Sequence, residues 1–369
     1  MLKKVVGKTR FSRWMKYSLL IGSGATIAGG FIVSETRFRT IVSFDESNLD
    51  DHLKDNKAPT YIEASLVKLL PLKIISRIWG HVNSYELPEK FREPVFRAFC
   101  DNYNCVLSEA ETEDLKQFRN LKEFFTRTLK SELRPISDKI IASPCDGTVI
   151  NYGPIVDNQV DQVKGATYSL SSFFGPISWS GEKNDSSSGK SSQDSKDNEK
   201  SYPERLLHSP ENQLYQTVVY LAPGDYHRFH SPVDWHVKFR RHFSGKLFFV
   251  KPCFANWLND LFSLNERTLY IGEWTHGFFS MCAIGAANVG SIEIYFDNAL
   301  KTNKLFHRKY IFRDRNFDED IVPTKGEPFG QFNLGSTIVV IFEAPKDFKF
   351  DVKMGQRIKY GQPIGSRNK

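Results

Sequence analysis

The sequence predicts an α+β fold, in which N-terminal helices precede a β-rich core of antiparallel strands arranged as a barrel or a sandwich. Residues 65–79 and 109–129 place apolar side chains at helical spacing among charged ones. From residue 136 onward, short apolar runs are separated by Gly, Pro and Asp, as is typical of strands joined by turns. Residues 338–342 are apolar and rich in β-branched side chains, which predicts a buried strand.

The N-terminus predicts a targeting leader followed by a membrane anchor. Residues 1–16 contain six basic residues and no acidic residue, a composition typical of imported mitochondrial proteins. Residues 17–34 are uncharged and are near the short end of the length that spans a bilayer, which predicts a transmembrane helix. A cleavable secretory signal is the alternative. Residues 35–64 are interpreted as a linker.

Residues 65–79 allow two interpretations. Their apolar side chains alternate with Lys68, Lys73 and Arg77, and Pro71 interrupts the pattern. One interpretation is a helix, or a pair of helices broken at Pro71, that lies at the membrane interface with its basic side chains towards lipid phosphates. The other is an ordinary amphipathic helix that packs on the core.

Composition favours a large domain that associates with a membrane. The chain has 369 residues, 30 phenylalanines and a net charge of +7. Its basic residues concentrate at the N-terminus and no nucleic-acid module is recognisable, so an anionic membrane surface is favoured over nucleic acid as the partner. Residues 180–201 are rich in Ser, Lys and Asp and almost lack apolar side chains, which predicts a disordered insertion.

The tripeptide Gly335-Ser336-Thr337 has the parts needed for self-cleavage. Glycine tolerates strained backbone angles, and a serine hydroxyl becomes nucleophilic when a base takes its proton. Attack of Ser336 on the Gly335 carbonyl would give an ester, and elimination followed by hydrolysis would leave a pyruvoyl group on a new chain. In most proteins, however, Gly-Ser before a strand is an ordinary turn.

Two other segments make the chemical interpretation stronger. His227 and His230 are three residues apart, and Asp146 lies in a turn before a short apolar stretch. Asp, His and Ser together can form a relay that activates a nucleophile. The histidines could also be read as zinc ligands, but the zincin glutamate and a cysteine pair are missing, so no metal is predicted. The five cysteines show no disulfide spacing, and Cys145 is interpreted as a packing residue.

Taken together, these motifs resemble those of the mitochondrial type of phosphatidylserine decarboxylase, in order from about residue 69 to residue 363. The matching segments are Ser76-Arg77-Ile78-Trp79-Gly80, residues 118–125, Ser143-Pro144-Cys145-Asp146-Gly147, residues 163–170, residues 226–232, Asn265-Glu266-Arg267 and Leu334-Gly335-Ser336-Thr337. Asn265-Glu266-Arg267 would otherwise be read as a solvated turn. With the resemblance it becomes a candidate for shaping the site.

The resemblance implies roles for the candidate residues. Ser336 would become the covalent pyruvoyl cofactor, and Gly335 would end the larger chain. Asp146 would belong to the self-cleavage relay with His230 as the favoured base. His227 would then serve as the acid and base in decarboxylation.

The resemblance also implies an architecture and a location. The domain of residues 65–369 would convert phosphatidylserine to phosphatidylethanolamine as a non-covalent pair of chains, residues 1–335 and 336–369, with a homodimer as a further possibility. It would face the intermembrane space from the mitochondrial inner membrane. The alternatives are a membrane-bound hydrolase that uses Ser336, His230 and Asp146 directly, and an inactive scaffold.

Overall fold

The computed structural model describes residues 72–156, 158–163, 166–179, 201–250, 258, 260–287, 291–304, 312–333 and 336–367. The leader of residues 1–16, the transmembrane helix of 17–34, the linker of 35–64 and the insertion of 180–201 were predicted for positions that, apart from Ser201, lie outside these ranges. Gly335 lies outside them too. Within the described ranges, no helix has both the length and the apolar character needed to cross a membrane.

Short helices precede and interrupt the strands. In the described part of the chain they are α1 (Leu72–Ser84), α2 (Glu89–Tyr103), α3 (Leu121–Phe125), α4 (Leu170–Phe174), α5 (Tyr202–Leu206) and α6 (Leu261–Leu264), with 3-10 turns at Leu107–Glu109 and Ser131–Leu133. The helix predicted over residues 65–79 is confirmed from Leu72 onward. α2 ends at Asn104, whose φ of 52° turns the chain out of the helix.

The prediction of a continuous helix over residues 109–129 is wrong. Only α3 is α-helical there, and it begins at Asn120, whose side chain accepts a hydrogen bond from the backbone N–H of Glu123 at 2.9 Å. Upstream, the Asp114 carboxylate accepts from the N–H of Lys116 at 3.0 Å. Such short polar side chains bind the backbone of their own turn and so compete with helix formation.

Strands make up most of the remainder. They are β1 (Ile141–Ala142), β2 (Gly147–Pro154), β3 (Gln159–Val163), β4 (Ala166–Ser169), β5 (Asn212–Leu221), β6 (Arg228–His230), β7 (Trp235–Phe243), β8 (Arg267–Trp274), β9 (Gly277–Gly285), β10 (Ile292–Ile294), β11 (Phe312–Ile321), β12 (Pro328–Phe332), β13 (Ser336–Pro345), β14 (Phe348–Phe350), β15 (Arg357–Ile358) and β16 (Pro363–Arg367). The predicted β-rich region beyond residue 136 is therefore confirmed.

The main sheet has eight strands in the order β11-β7-β8-β9-β13-β5-β2-β15. All of its neighbouring strands are antiparallel, which confirms the predicted sheet type. β13 lies in the interior of this sheet, paired with β9 on one side and with β5 on the other. It contains the apolar run of residues 338–342 that the sequence predicts as a buried strand.

Both faces of the main sheet are buried, because successive side chains of a strand point to opposite faces. Ile338, Val340 and Phe342 of β13 pack in one apolar cluster, beneath the small sheets β1-β16-β14 and β10-β12-β6. Val339 and Ile341 pack in a second cluster, which includes side chains of α4, α5, α6 and the β3–β4 hairpin. This layering confirms the predicted α+β class and fits its sandwich form.

The packing role predicted for Cys145 is confirmed. Cys145 is fully buried in the first apolar cluster. The loop before β15 is bound to β2, because the N–H of Gly355 donates to the carbonyl oxygen of Val149 at 2.8 Å and the N–H of Val149 donates to that of Gln356 at 2.9 Å. This segment lies at the edge of the main sheet, next to β2.

Candidate active site

Ser336 is the first residue of β13 and lies opposite Leu221 of β5 and Gly285 of β9. Its side chain is fully buried, and its hydroxyl oxygen forms no hydrogen bond with any residue of the described ranges. An unsatisfied buried hydroxyl costs about 1–3 kcal/mol, so such groups are rare and need an explanation. The predicted nucleophile thus lies at the end of an interior strand, and its hydroxyl has no hydrogen-bond partner in the described ranges.

His227 is fully buried between β5 and β6. Its Nδ1 lies 2.7 Å from the carbonyl oxygen of Asp225. Because a carbonyl oxygen only accepts, Nδ1 carries the proton and Nε2 keeps a lone pair. Nε2 has no hydrogen-bond partner in the described part of the chain. Burial lowers the pKa of His227 to about 3, so the ring is neutral at physiological pH.

The two histidines pair with different positions of β12. The partner of His227 is closer in sequence to Ser336 than the partner of His230 is. The N–H of Phe332 donates to the carbonyl oxygen of His227 at 2.9 Å, whereas His230 pairs with Pro328 on β12. The two β12 positions are four residues apart, which is about 13 Å of extended strand.

His230 is buried with both ring nitrogens engaged. Nδ1 donates to the carbonyl oxygen of Gly326 at 2.9 Å, and the Tyr226 hydroxyl is 3.1 Å from Nε2. The Tyr360 ring stacks on the imidazole, with centroids 3.9 Å apart and planes 2° apart. Burial lowers the pKa of His230 to about 4. The ring is therefore neutral at physiological pH, and contacts from three directions fix its orientation.

Asp146 is buried beside His230 but does not contact its ring through a hydrogen bond. Its Oδ2 accepts from Nη2 of Arg134 at 2.7 Å, and its Oδ1 accepts from the backbone N–H of Tyr360 at 2.8 Å. Within the described ranges, no hydrogen bond joins Asp146, His230 and Ser336 directly. Tyr360 contacts both Asp146 and His230.

The segment Asn265-Glu266-Arg267 is buried, so the interpretation as a solvated turn is wrong. The Asn265 side-chain amide donates to the carbonyl oxygen of Gly285 at 2.9 Å. The backbone N–H of Gly285 donates to the carbonyl oxygen of Glu266 at 2.8 Å. Since Gly285 pairs with Ser336, this segment holds the strand end that faces the candidate nucleophile. Glu266 also accepts from Nε2 of His242 at 2.9 Å.

Sequence reasoning missed Arg134 and Tyr360, the two partners of Asp146. Tyr360 lies 214 positions beyond Asp146 in the chain. No local pattern connects residues so far apart, and only the fold shows that they meet. Tyr226 was visible in the histidine motif, but nothing in the motif indicated that its hydroxyl reaches His230.

Comparison with known proteins agrees with the resemblance. The family model for phosphatidylserine decarboxylase matches residues 121–366. A mitochondrial phosphatidylserine decarboxylase proenzyme from Cricetulus griseus is 46% identical over 316 residues, which is 84% of this chain and 75% of that protein. Mitochondrial proenzyme 1 of Saccharomyces cerevisiae is 37% identical over 361 residues, which is 80% of this chain and 72% of that protein.

The chain therefore belongs to the phosphatidylserine decarboxylase family. The relatives are named as mitochondrial proenzymes. The residues that the family model matches, 121–366, include the main sheet and the candidate site. The predicted resemblance is confirmed. The hydrolase and scaffold alternatives are not favoured.

Proposed function

We propose that this chain decarboxylates phosphatidylserine to phosphatidylethanolamine, using a pyruvoyl group made from Ser336 by cleavage between residues 335 and 336. Family membership supports the reaction. The observation that carries the cofactor assignment is the fully buried, unpartnered hydroxyl of Ser336. Thr217, Thr268 and Thr337 also have buried hydroxyls without partners in the described structure. Ser336 differs from them because it directly follows Gly335 and begins an interior strand, which is the position that the cleavage chemistry requires.

Self-cleavage needs a base for the Ser336 hydroxyl and a way to hold that base. We propose that His230 is the base for the Ser336 hydroxyl and that Asp146 helps to hold His230 in place. The proposal draws on the neutral ring of His230 and on Tyr360, which contacts both residues. Attack on the Gly335 carbonyl moves the acyl group to the serine oxygen. Elimination of that oxygen and hydrolysis then leave the ketone and release ammonia.

Once formed, the pyruvoyl ketone accepts the electron pair that carbon dioxide leaves behind. The protein must then remove a proton from the lipid amine and supply one to the carbon that loses the carboxylate. The lipid amine arrives as an ammonium ion. Burial holds the pKa of His227 at about 3 in the free site, but the carboxylate of a bound head group would raise it. Nε2, which has a lone pair and no partner in the described structure, can then accept the proton. The imidazolium can return this proton to the carbon that lost the carboxylate. His227 would thus act as base and acid in turn.

The two chains, residues 1–335 and 336–369, would stay together after cleavage as a non-covalent heterodimer. β13 pairs with strands of the larger chain on both sides, and its side chains from Ser336 to Ala344 are buried. Each large apolar side chain among them contributes roughly 1.5–3 kcal/mol on burial. A homodimer of the processed molecule is a further hypothesis that comes from the resemblance.

The substrate places this reaction at a membrane. α1 carries exposed apolar side chains at Ile74, Ile78 and Val82, which are spaced by four residues and share one face. We propose that this face contacts lipid. With the anchor predicted at residues 17–34, and with relatives named as mitochondrial, we place the domain on the intermembrane-space side of the inner membrane.

The mass of the purified protein tests the proposal. We expect two chains, with the smaller one beginning at position 336 and carrying a blocked, pyruvoyl-type N-terminus. Release of carbon dioxide from carboxyl-labelled phosphatidylserine should accompany it. The Ser336→Ala variant should remain one chain and release none.

Borohydride provides a second test, since it reduces ketones but not serine. Treatment should add two hydrogens to the smaller chain and abolish decarboxylation. An active preparation that consists of one uncut chain with an intact serine would refute the proposal. Lipase activity in such a preparation would favour a hydrolase instead.

A further inference from the structure

A polar cavity of about 290 Å³ lies between the N-terminal helices and the loops that surround β10. α1 contributes Arg77, His81 and Asn83 to its lining. Lys122 of α3 also lines the cavity, and α3 packs against α1. The volume is close to the lower end of ordinary ligand pockets, at about 300 Å³.

The charge of the cavity is positive. Arg77 and Lys122 are basic, and none of the residues that line the cavity in the described structure is acidic. Arg77 donates to the carbonyl oxygen of Asn303 at 2.8 Å, which fixes the guanidinium at the wall. A guanidinium has five N–H donors, so this bond leaves others for an anion.

A buried amide is a second observation that points to a polar ligand. Asn83 is only 6% exposed, and its side-chain nitrogen has no hydrogen-bond partner in the described part of the chain. A buried donor of this kind costs about 1–3 kcal/mol when it is unsatisfied. The cavity therefore combines two cations with an uncommitted donor, as expected for an oxyanion.

The cavity is connected to the candidate nucleophile in two ways. Asn333, which lines it, precedes Ser336 by three residues, a span of at most about 11 Å. Asn303, on the wall, donates its N–H to Glu266 at 2.9 Å, and the Glu266 carbonyl oxygen holds Gly285 opposite Ser336. The wall of the cavity at Asn333 thus lies within about 11 Å of the reacting position.

We propose that this cavity binds the phosphate of the lipid head group, with Arg77 and Lys122 as its cationic ligands. The inference rests on the proposed function, because it takes phosphatidylserine as the substrate. In that head group the phosphate and the amine are only a few bonds apart. An amine that reacts at position 336 therefore leaves its phosphate within reach of the cavity.

The phosphate is a better partner for these cations than the carboxylate. The carboxylate leaves as neutral carbon dioxide, so a cation bound to it would stabilise the reactant more than the transition state. The phosphate keeps its charge throughout the reaction. Cations on the phosphate thus bind the reactant and the transition state alike, which lowers KM without slowing the chemical step.

The geometry of α1 fits a head group that enters from a membrane. Ile74 and Ile78 are exposed on the apolar face, and Arg77 lies about 60° around the helix from Ile74. The acyl chains could therefore remain in the bilayer while the phosphate reaches the cavity. α1 would then present both the apolar face that contacts lipid and the Arg77 side chain that lines the cavity.

Steady-state kinetics on dispersed short-chain phosphatidylserine test the proposal. Arg77→Gln and Lys122→Gln should each raise KM about tenfold and leave kcat within about twofold, which matches the loss of a charge-assisted hydrogen bond. Both should still cleave fully, as judged by intact mass. Arg77→Lys should recover part of the loss because it keeps a cation.

The matched control is Arg97→Gln on α2, where the arginine is exposed and pairs with Glu93. It makes the same chemical change outside the cavity and should leave KM unchanged. If Arg77→Gln and Lys122→Gln behave like this control while the wild-type enzyme is active, the phosphate site is wrong and the proposed function stands.

A binding measurement separates the two proposals fully. The uncut Ser336→Ala precursor should bind glycerophosphoserine, and Arg77→Gln in that background should weaken binding about tenfold, whatever the activity of the wild type. Equal binding by both precursors would overturn the cavity assignment. A wild-type chain that neither cleaves nor decarboxylates would instead overturn the proposed function.

Discussion

The Tyr360 ring stacks on the imidazole of His230 with centroids 3.9 Å apart, while the backbone N–H of Tyr360 binds Asp146 at 2.8 Å. Arg134 lies beyond the same ring, with its guanidinium carbon 5.7 Å from the centroid. Tyr360 belongs to the segment that would form the smaller chain, whereas the other three residues belong to the larger one. The candidate relay is therefore ordered by a contact between the two future chains.

Replacing Tyr360 by Leu should slow self-cleavage about two- to tenfold, because an aromatic contact contributes roughly 0.5–1.5 kcal/mol. The backbone bond to Asp146 would remain. Tyr360→Phe keeps the ring and should cleave like the wild type. The measurement is a time course of fragment formation after cell-free synthesis. If Tyr360→Phe is as slow as Tyr360→Leu, the hydroxyl and not the stacking is what matters.

Asp146→Ala should leave a full-length precursor, because the carboxylate that supports the relay is lost. Asp146→Asn is the matched variant, since it keeps an acceptor for the N–H of Tyr360 but removes the charge that faces Arg134. We expect it to cleave slowly. Circular dichroism checks that each variant folds, because an unpaired buried charge is costly. A folded Asp146→Ala chain that cleaves at the normal rate contradicts the assignment.

The two histidines should separate into different phenotypes. His227→Gln should still cleave but lose decarboxylation by about 10²–10⁴-fold, the usual contribution of acid–base catalysis. His230→Gln should accumulate as the uncut precursor. Intact mass and carbon dioxide release measure the two steps in the same sample. The reverse pattern would exchange the roles of the two residues.

Glu343 on β13 is fully buried and accepts hydrogen bonds from the backbone N–H groups of His208, Ser209 and Phe278 and from the Asn212 amide, at 2.9–3.0 Å. All four donors belong to the future larger chain. Glu343→Leu leaves them unsatisfied at about 1–3 kcal/mol each. The two chains should then separate at a lower urea concentration, as followed by size-exclusion chromatography.

Glu343→Gln is the control for that experiment, since it removes the charge but keeps an acceptor oxygen, and its effect should be smaller. If the Leu variant separates at the wild-type urea concentration, this carboxylate does not hold the chains together.

Stability should fall on acidification below about pH 6.5. Burial depresses the pKa of His227 to about 3 and that of His230 to about 4, from the usual 6.5. Between pH 6.5 and 4 the unfolded chain binds protons that the folded chain does not, so each histidine lowers the free energy of unfolding by roughly 1.4 kcal/mol per pH unit. Above pH 6.5 both states are neutral and the contribution vanishes.

Urea unfolding of the single-chain Ser336→Ala protein at several pH values measures this slope. Adding His230→Gln should reduce the slope, whereas His236→Gln, at an exposed position, should not. Equal slopes in all three proteins would mean that His230 is not the source of the acid sensitivity.

Local patterns predicted the parts of the fold that depend on local physics. The β-branched run of residues 338–342 lies within β13, and the amphipathic pattern before residue 80 lies partly in α1. The pattern over residues 109–129 misled because Asp114 and Asn120 bind nearby backbone N–H groups. Periodicity reports burial, but it does not report such competition from polar side chains.

The candidate site was only partly predictable for a related reason. Ser336, His227, His230 and Asp146 carry reactive groups and fall in recognisable motifs. Their supporting contacts join residues far apart in the chain, as Tyr360 does with Asp146. The sequence contains both residues but not the register that brings them together. The cavity beside Arg77 was hidden for the same reason, since its walls come from distant segments.

The interior position of β13 has a consequence for the lifetime of the enzyme. A dissociable coenzyme can be lost, damaged and replenished, but a carbonyl attached to an inner strand of the main sheet cannot be renewed without dismantling the domain. Each molecule would therefore have one catalytic carbonyl, which could not be replaced. An agent that reduces or traps that carbonyl would inactivate it permanently, and recovery would require fresh protein synthesis.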